Sequence, residues 1–92
     1  MALFKINMYF PNGSMQDINN LKAAHLSFLG AQTNLHYGGI STNEKGEYSS
    51  ILYIIDSLSR QDAADFVEQD PYFSVAFQVK IENFIQKIPK LI

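Results

Sequence analysis

Two residues far apart in the sequence, His25 and Asp70, have the side chains needed for acid/base chemistry. At about 100° per helical residue, His25 falls in the centre of the apolar stripe of its helix. A polar ring in that position needs a hydrogen-bond partner, because burying it without one costs about 1–3 kcal/mol. Asp70 ends a second helical stretch, and its carboxylate is a suitable partner. Such a pair would hold the imidazole in one tautomer and leave the other ring nitrogen to move a proton.

The same two residues also have purely structural explanations. Asp70 precedes Pro71, and an aspartate followed by a proline is typical of the N-cap and first residue of a short helix. Pro71 also disfavours the helical conformation at Asp70, so the preceding helix should end there. A packed histidine whose ring is satisfied by Asp70 or by the backbone explains His25 without catalysis. The sequence leaves both roles open for both residues.

Other candidates for a functional site are fewer and less specific. Lys22 lies one turn before His25, where it would anchor an anionic substrate, although a lysine on a helix flank is usually solvated. Tyr72 would line a substrate pocket, although an aromatic residue at such a corner is more often core. His36 lies in a short strand, and the sequence leaves open whether it faces the core or a dimer interface. The two histidines are not clustered and there is no cysteine, so the sequence predicts no metal site, no disulfide and no cofactor.

Length and charge exclude several classes of protein. The 92 residues suit one domain, residues 1–92, and the net charge of −2 with seven scattered Lys and Arg residues argues against nucleic-acid binding. No segment approaches the roughly 20 apolar residues that span a bilayer, and the N-terminus lacks the apolar core of a signal peptide. We therefore expect a cytoplasmic protein that binds neither nucleic acid nor membrane.

Hydrophobic periodicity predicts the element order β-α-β-β-α-β, the ferredoxin-like α+β arrangement. The predicted elements are strands at 2–10, 35–40, 50–55 and 77–84, a helix from Met15 to about Thr33, and a helix from Ser59 to Asp70. Ser14 and Ser59 are placed to cap the two helices. The alternation of the last strand blurs at Asn83-Phe84, which predicts a bulge or a bend there.

One face of the predicted sheet has nothing to cover it. Two helices cover only one face of four strands, yet the strand at 50–55 is apolar on both sides. The chain has no further element for the second face. We therefore predict a homodimer, or a higher homo-oligomer, formed through the open sheet faces.

Three segments together resemble the YCII-related (YciI-like) family. They are residues 22–29 (KAAHLSFL), Gly38-Gly39 after a short strand, and residues 63–72 (AADFVEQDPY). The resemblance implies a ferredoxin-like fold, dimerisation as an α/β barrel, and a His-Asp pair in a pocket, which on matching residues is His25 and Asp70. One member of that family acts as a dehydrochlorinase on a chlorinated hydroxyhydroquinone.

Two functions from different classes follow. The first is a small-molecule enzyme of the isomerase or lyase type, in which His25 and Asp70 move a proton on a cyclic enol, lactone or quinol-like substrate. The alternative is a non-catalytic dimeric module that binds a metabolite or has an accessory role. An open pocket around His25 would favour the enzyme, and a tightly packed ring would favour the alternative.

Overall fold

The computed structural model describes residues 1–89 and has the predicted element order. A short 3-10 helix, Pro71–Ser74, follows the second long helix. The sheet has the strand order β2-β3-β1-β4 with every neighbouring pair antiparallel, which is the ferredoxin-like topology. The elements are β1 (Ala2–Tyr9), α1 (Met15–Gly30), β2 (Leu35–Thr42), β3 (Tyr48–Ser57), α2 (Arg60–Glu68) and β4 (Gln78–Phe84).

Strands β2 and β3 are longer than predicted, because the turn between them is tight. The side-chain oxygen of Asn43 accepts hydrogen bonds from the backbone N–H groups of Lys45 (2.9 Å) and Glu47 (3.1 Å). Gly46 adopts a φ of +78°, a conformation that glycine reaches without steric cost. Residues 41 and 42, which lie beyond the predicted end of the strand at residue 40, therefore continue the ladder.

The two helix starts differ in how they are capped. At α2 the prediction is confirmed, because the Ser59 hydroxyl accepts from the backbone N–H of Asp62 at 3.1 Å. At α1 the prediction of a side-chain cap is wrong. Ser14 is the first flanking residue, but its backbone is not extended (φ −93°, ψ 2°), and its hydroxyl donates to the Pro11 carbonyl at 2.6 Å.

The core lies between the sheet and the two helices. Alternate residues of β1 and β3 face the helices and are buried, and the helices and the 3-10 helix contribute apolar side chains from the other side. These buried residues are Phe4, Ile6, Met8, Ile51, Tyr53, Ile55, Ile18, Ala63, Phe66, Val67 and Tyr72. Because the period of a strand is two, the intervening residues face away from the helices.

The opposite surface of the sheet, called the open face below, is formed by the strand side chains that point away from the helices. It includes the cross-strand pair Leu3 and Phe84 and the ion pair of Lys5 with Glu82 at 3.6 Å. The predicted bulge at Asn83-Phe84 is wrong, since β4 pairs with β1 in unbroken register from Gln78 to Phe84. Phe84 is instead an apolar residue on the open face.

No helix within residues 1–89 combines the length and the apolar character needed to cross a membrane.

Candidate functional site

The structure brings His25 and Asp70 together. His25 lies on the sheet-facing side of α1, and Asp70 lies between α2 and the 3-10 helix. His25 Nδ1 is 2.8 Å from Asp70 Oδ1, within the hydrogen-bond range expected from the sequence. The two residues are 4% and 2% exposed, so the pair is part of the interior.

Asp70 also caps the 3-10 helix, as its position before Pro71 predicted. Its Oδ1 accepts from the backbone N–H of Tyr72 at 3.0 Å, and this oxygen is the one that meets His25. The capping role and the pairing role therefore coexist in one side chain. Pro71 has no N–H of its own to satisfy at the first helical position.

Tyr53 is a third member of the site, and sequence reasoning missed it. Its hydroxyl donates to Asp70 Oδ2 at 2.5 Å, from the middle of β3. Tyr53 belongs to the strand at 50–55, whose sequence is apolar on both sides. Its parity in the strand places it on the helix-facing side, however, and a buried tyrosine hydroxyl usually has a hydrogen-bond partner. That requirement was the signal that could have found it.

Burial determines the electrostatics of the two tyrosines. It raises the pKa of the Tyr53 phenol far above its ordinary value, and the hydrogen bond to Asp70 and the charge of that residue raise the pKa further. Burial also raises the pKa of Tyr72, with smaller contributions from Tyr48 and Asp70. Both phenols therefore remain neutral, and Tyr53 donates its hydrogen to Asp70.

The donors around Asp70 determine which nitrogen of His25 carries hydrogen. The Tyr72 N–H can only donate, and the neutral Tyr53 phenol donates to the other oxygen. This environment matches an ionised carboxylate, which only accepts hydrogen bonds. The network accordingly assigns a hydrogen to His25 Nδ1 and leaves Nε2 of the neutral ring with a free lone pair.

The second ring nitrogen of His25, Nε2, lies in different surroundings from Nδ1. It has no hydrogen-bond partner within residues 1–89, where Asn7 Oδ1 is the only buried side-chain polar atom without one. Nε2 therefore belongs to the small accessible part of the ring. The Tyr72 ring stacks on the imidazole, with centroids 3.8 Å apart and planes 9° from parallel, and fixes its orientation.

The two predicted substrate-binding residues lie in different surroundings. Tyr72 is 1% exposed, and its ring contacts His25 on one side and Phe10 edge-on at 5.9 Å. Lys22 lies on the exposed surface of α1, outside the buried network. Substrate binding by Lys22 and Tyr72 stays a prediction.

A groove of about 580 Å³ runs beside this site, between the start of α1 and the end of the 3-10 helix. Its lining includes Leu21, one turn before His25, and Val75, three residues after Tyr72. The rest is polar or small: Pro11, Asn12, Gly13, Ser14, Asp17, Asn20 and Ser74. His25 is not among the lining residues, so the groove approaches the pair without reaching it.

The other histidine forms a second pair on the open face. A bulge in β2 between Leu35 and Tyr37 directs the His36 side chain toward β3, where its Nε2 is 2.5 Å from Asp56 Oδ2. The His36 side chain is 53% exposed. Within residues 1–89, no group of three or more His, Cys, Asp or Glu side chains is arranged to hold a metal ion.

Comparisons with known proteins find similarity at the level of structure. No family model matches the chain, and no curated protein sequence matches it. Among solved structures, it is similar to 5-chloro-2-hydroxyhydroquinone dehydrochlorinase of Burkholderia phenoliruptrix in complex with 2,5-dihydroxybenzoquinone. That likeness has a TM-score of 0.77 and 23% identity, over 90% of this chain and 93% of the other.

Two further structures share the architecture at lower identity. The cofactor-independent oxygenase SnoaB of Streptomyces nogalater has a TM-score of 0.58 and 12% identity, over 95% of this chain and 96% of the other. An uncharacterised NIPSNAP domain protein of Burkholderia xenovorans has a TM-score of 0.54 and 12% identity, over 96% of each chain. At these identities the comparisons show that the chain has the ferredoxin-like fold of these small α+β proteins.

Proposed function

We propose that this protein is a small-molecule enzyme of the isomerase or lyase type, in which His25 moves a proton and Asp70 orients it. The observation that carries the proposal is the 2.8 Å contact of His25 Nδ1 with a buried carboxylate, which leaves Nε2, at the accessible part of the ring, without a hydrogen-bond partner among residues 1–89. A base needs both an orienting partner and a free lone pair.

The proposed chemistry is a proton transfer on a cyclic enol, lactone or quinol-like substrate. Nε2 removes a proton from a carbon next to a carbonyl group, and the C–H electron pair forms a double bond. In an isomerase the imidazolium returns that proton to another carbon. In a lyase a leaving group, such as chloride, departs with its bonding electrons. Asp70 stabilises the imidazolium in both cases, and such acid/base assistance contributes about 10²–10⁴-fold to a rate.

A likeness in sequence and a likeness in structure support this class of reaction. The sequence resembles the YCII-related family at the residues that match His25 and Asp70, and the structure is similar to a dehydrochlorinase complexed with a quinone. The groove beside Leu21 and Val75 is a suitable route for a small polar molecule, because Leu21 lies one turn before His25 on α1 and Val75 lies three residues after Tyr72.

We further propose that the working form is a homodimer joined through the open faces. Leu52 of β3 and Phe84 of β4 are half-buried apolar residues that face away from the helices. Light scattering at micromolar concentration should give about twice the 10.4 kDa of one chain. A stable interface of this kind buries more than roughly 1,000 Å² in total. A species of 10.4 kDa alone would contradict the dimer.

A specific observation favours the alternative, a non-catalytic module that binds a metabolite. The His25 ring is 4% exposed and is stacked on Tyr72, as expected of a histidine that holds α1 to the 3-10 helix. In that case the pair stabilises the fold, and a ligand in the groove binds without being converted.

The substitution His25→Gln separates the two functions, because glutamine is polar and similar in reach. Turnover of a panel of quinols, lactones and cyclic enols would be measured together with thermal unfolding. For an enzyme we expect activity to fall at least about 10²-fold with most of the stability retained. For a structural histidine we expect unchanged conversion or binding and a stability loss of about 1–3 kcal/mol. His36→Gln is the matched control, since it removes the histidine that lies outside the site.

A further inference from the structure

Tyr53 lies on the side of Asp70 opposite His25. Its hydroxyl donates to Oδ2 at 2.5 Å, while His25 meets Oδ1 at 2.8 Å. The carboxylate is thus shared between a phenol from the sheet and an imidazole from α1. A hydrogen bond to one oxygen of a carboxylate withdraws negative charge from the other, so the two partners affect each other through Asp70.

We propose that Tyr53 is a positioning residue that sets the basicity of His25 through Asp70. This inference rests on the proposed function, since the basicity of Nε2 determines how readily it takes a proton. By sharing the negative charge of Asp70, the Tyr53 hydroxyl weakens the stabilisation of the imidazolium.

Packing holds the Tyr53 ring independently of its hydroxyl. The Phe66 ring meets it edge-on, with centroids 5.6 Å apart and planes at 87°. On the neighbouring strand Gly38 lies directly opposite, where an added Cβ would be 3.5 Å from Tyr53 Cδ1, an ordinary contact distance. The substitution Tyr53→Phe should therefore leave the ring in place and remove only the donor.

The experiment measures the protonation state of the His25 ring in the ligand-free protein. Nitrogen-15 NMR of the ring nitrogens, followed across pH, reports which nitrogen carries hydrogen and the pH at which the second proton is lost. For Tyr53→Phe we expect that pH to rise relative to the unmodified protein, because Asp70 then has one donor fewer. Tyr9→Phe, which removes a hydroxyl from the open face, should leave it unchanged.

A second substitution reverses the direction of the effect. A fluorinated tyrosine introduced at position 53 keeps the hydroxyl and makes it a stronger donor, so the same pH should fall. Opposite shifts in the two variants support the proposal. If Tyr53→Phe does not fold, the titration of His25 in the fluorinated-tyrosine variant still tests it. If Tyr53 is only structural, the two substitutions should change thermal stability and leave the pH at which His25 loses its second proton unchanged. That result overturns the proposal.

Neither result depends on a substrate. The proposed function can therefore fail by an absence of turnover while the coupling of Tyr53 to His25 is still observed, and the coupling can fail while turnover is found.

Discussion

The molecule contains two His-Asp pairs, on opposite faces of one sheet. His25 and Asp70 lie between the sheet and the helices, with 5% and 0% of their side-chain surface exposed. His36 and Asp56 lie on the open face, with 53% and 23% exposed. Strand β3 serves both sites, because Tyr53 faces the helices and Asp56 faces away. The two pairs have the same chemistry and different surroundings.

The contact distances alone would rank these pairs wrongly. The exposed pair is the closer one, at 2.5 Å against 2.8 Å. Water competes for both exposed side chains, and pairs of that kind contribute about 0–1 kcal/mol to stability. The buried carboxylate has three protein donors and little water, so the loss of one partner leaves the others unsatisfied. Burial and the number of donors, rather than distance, determine what each pair does.

The largest difference should appear when each carboxylate is removed. Asp70→Ala leaves the Tyr53 hydroxyl, the His25 ring and the Tyr72 N–H without their acceptor, and we expect a loss of about 3–5 kcal/mol in the free energy of unfolding. Asp56→Ala should cost less than about 1 kcal/mol. Urea denaturation of both variants measures the two values, and equal losses would contradict the ranking.

A more conservative change tests chemistry instead of stability. Asn caps a helix about as well as Asp, so Asp70→Asn should retain the 3-10 helix and most of the stability. It removes the charge that supports an imidazolium, and we expect activity to fall at least about 10²-fold. Asp56→Asn should leave activity unchanged. Full activity of Asp70→Asn, in any reaction found for this protein, would show that Asp70 only caps the 3-10 helix.

Alkaline pH should weaken the buried site selectively. Burial raises the pKa of Tyr53 and Tyr72 in the folded protein. As the pH rises, the two phenols therefore lose their protons first in the unfolded chain, near the ordinary phenol pKa of 10.0. Below that pH the two phenols contribute fully to the free energy of unfolding. Above it, this contribution falls by about 1.4 kcal/mol per pH unit for each phenol that stays protonated only in the folded protein. Unfolding measured between pH 9 and 11 should show a shallower decline for Tyr53→Phe. His36→Gln should follow the unmodified protein, and identical slopes for all three would contradict the role assigned to Tyr53.

The smallest effect concerns salt. A double-mutant cycle between His36 and Asp56 should give a coupling below about 1 kcal/mol, and about 1 M NaCl should bring it toward zero. The same cycle between His25 and Asp70 should give a larger coupling that salt barely changes, because screening ions do not enter the interior. Equal salt sensitivity would show that the buried pair is more open to solvent than its 5% and 0% side-chain exposure indicates.

Local sequence patterns were sufficient for the order of elements and for part of the site. Alternating and helical periodicity depend on the chain's own geometry, so the six main elements followed from them. Asp70 before Pro71 was enough to predict a cap, since a cap involves residues two or three apart. The approach of His25 to Asp70 was also predictable, because a polar ring in the apolar stripe needs a partner and few were available.

Contacts between distant segments decided the rest. Tyr53 reaches Asp70 only because β3 packs against α2, which ends just before Asp70, and no local pattern encodes that distance. The bulge that directs His36 toward Asp56 depends on the register of β2 against β3. The Ser14 hydroxyl turns to Pro11 because of the backbone conformation that the loop adopts. The sequence by itself determined which residues needed partners, and the tertiary structure decided which partners they found, because burial and register arise only when the elements pack.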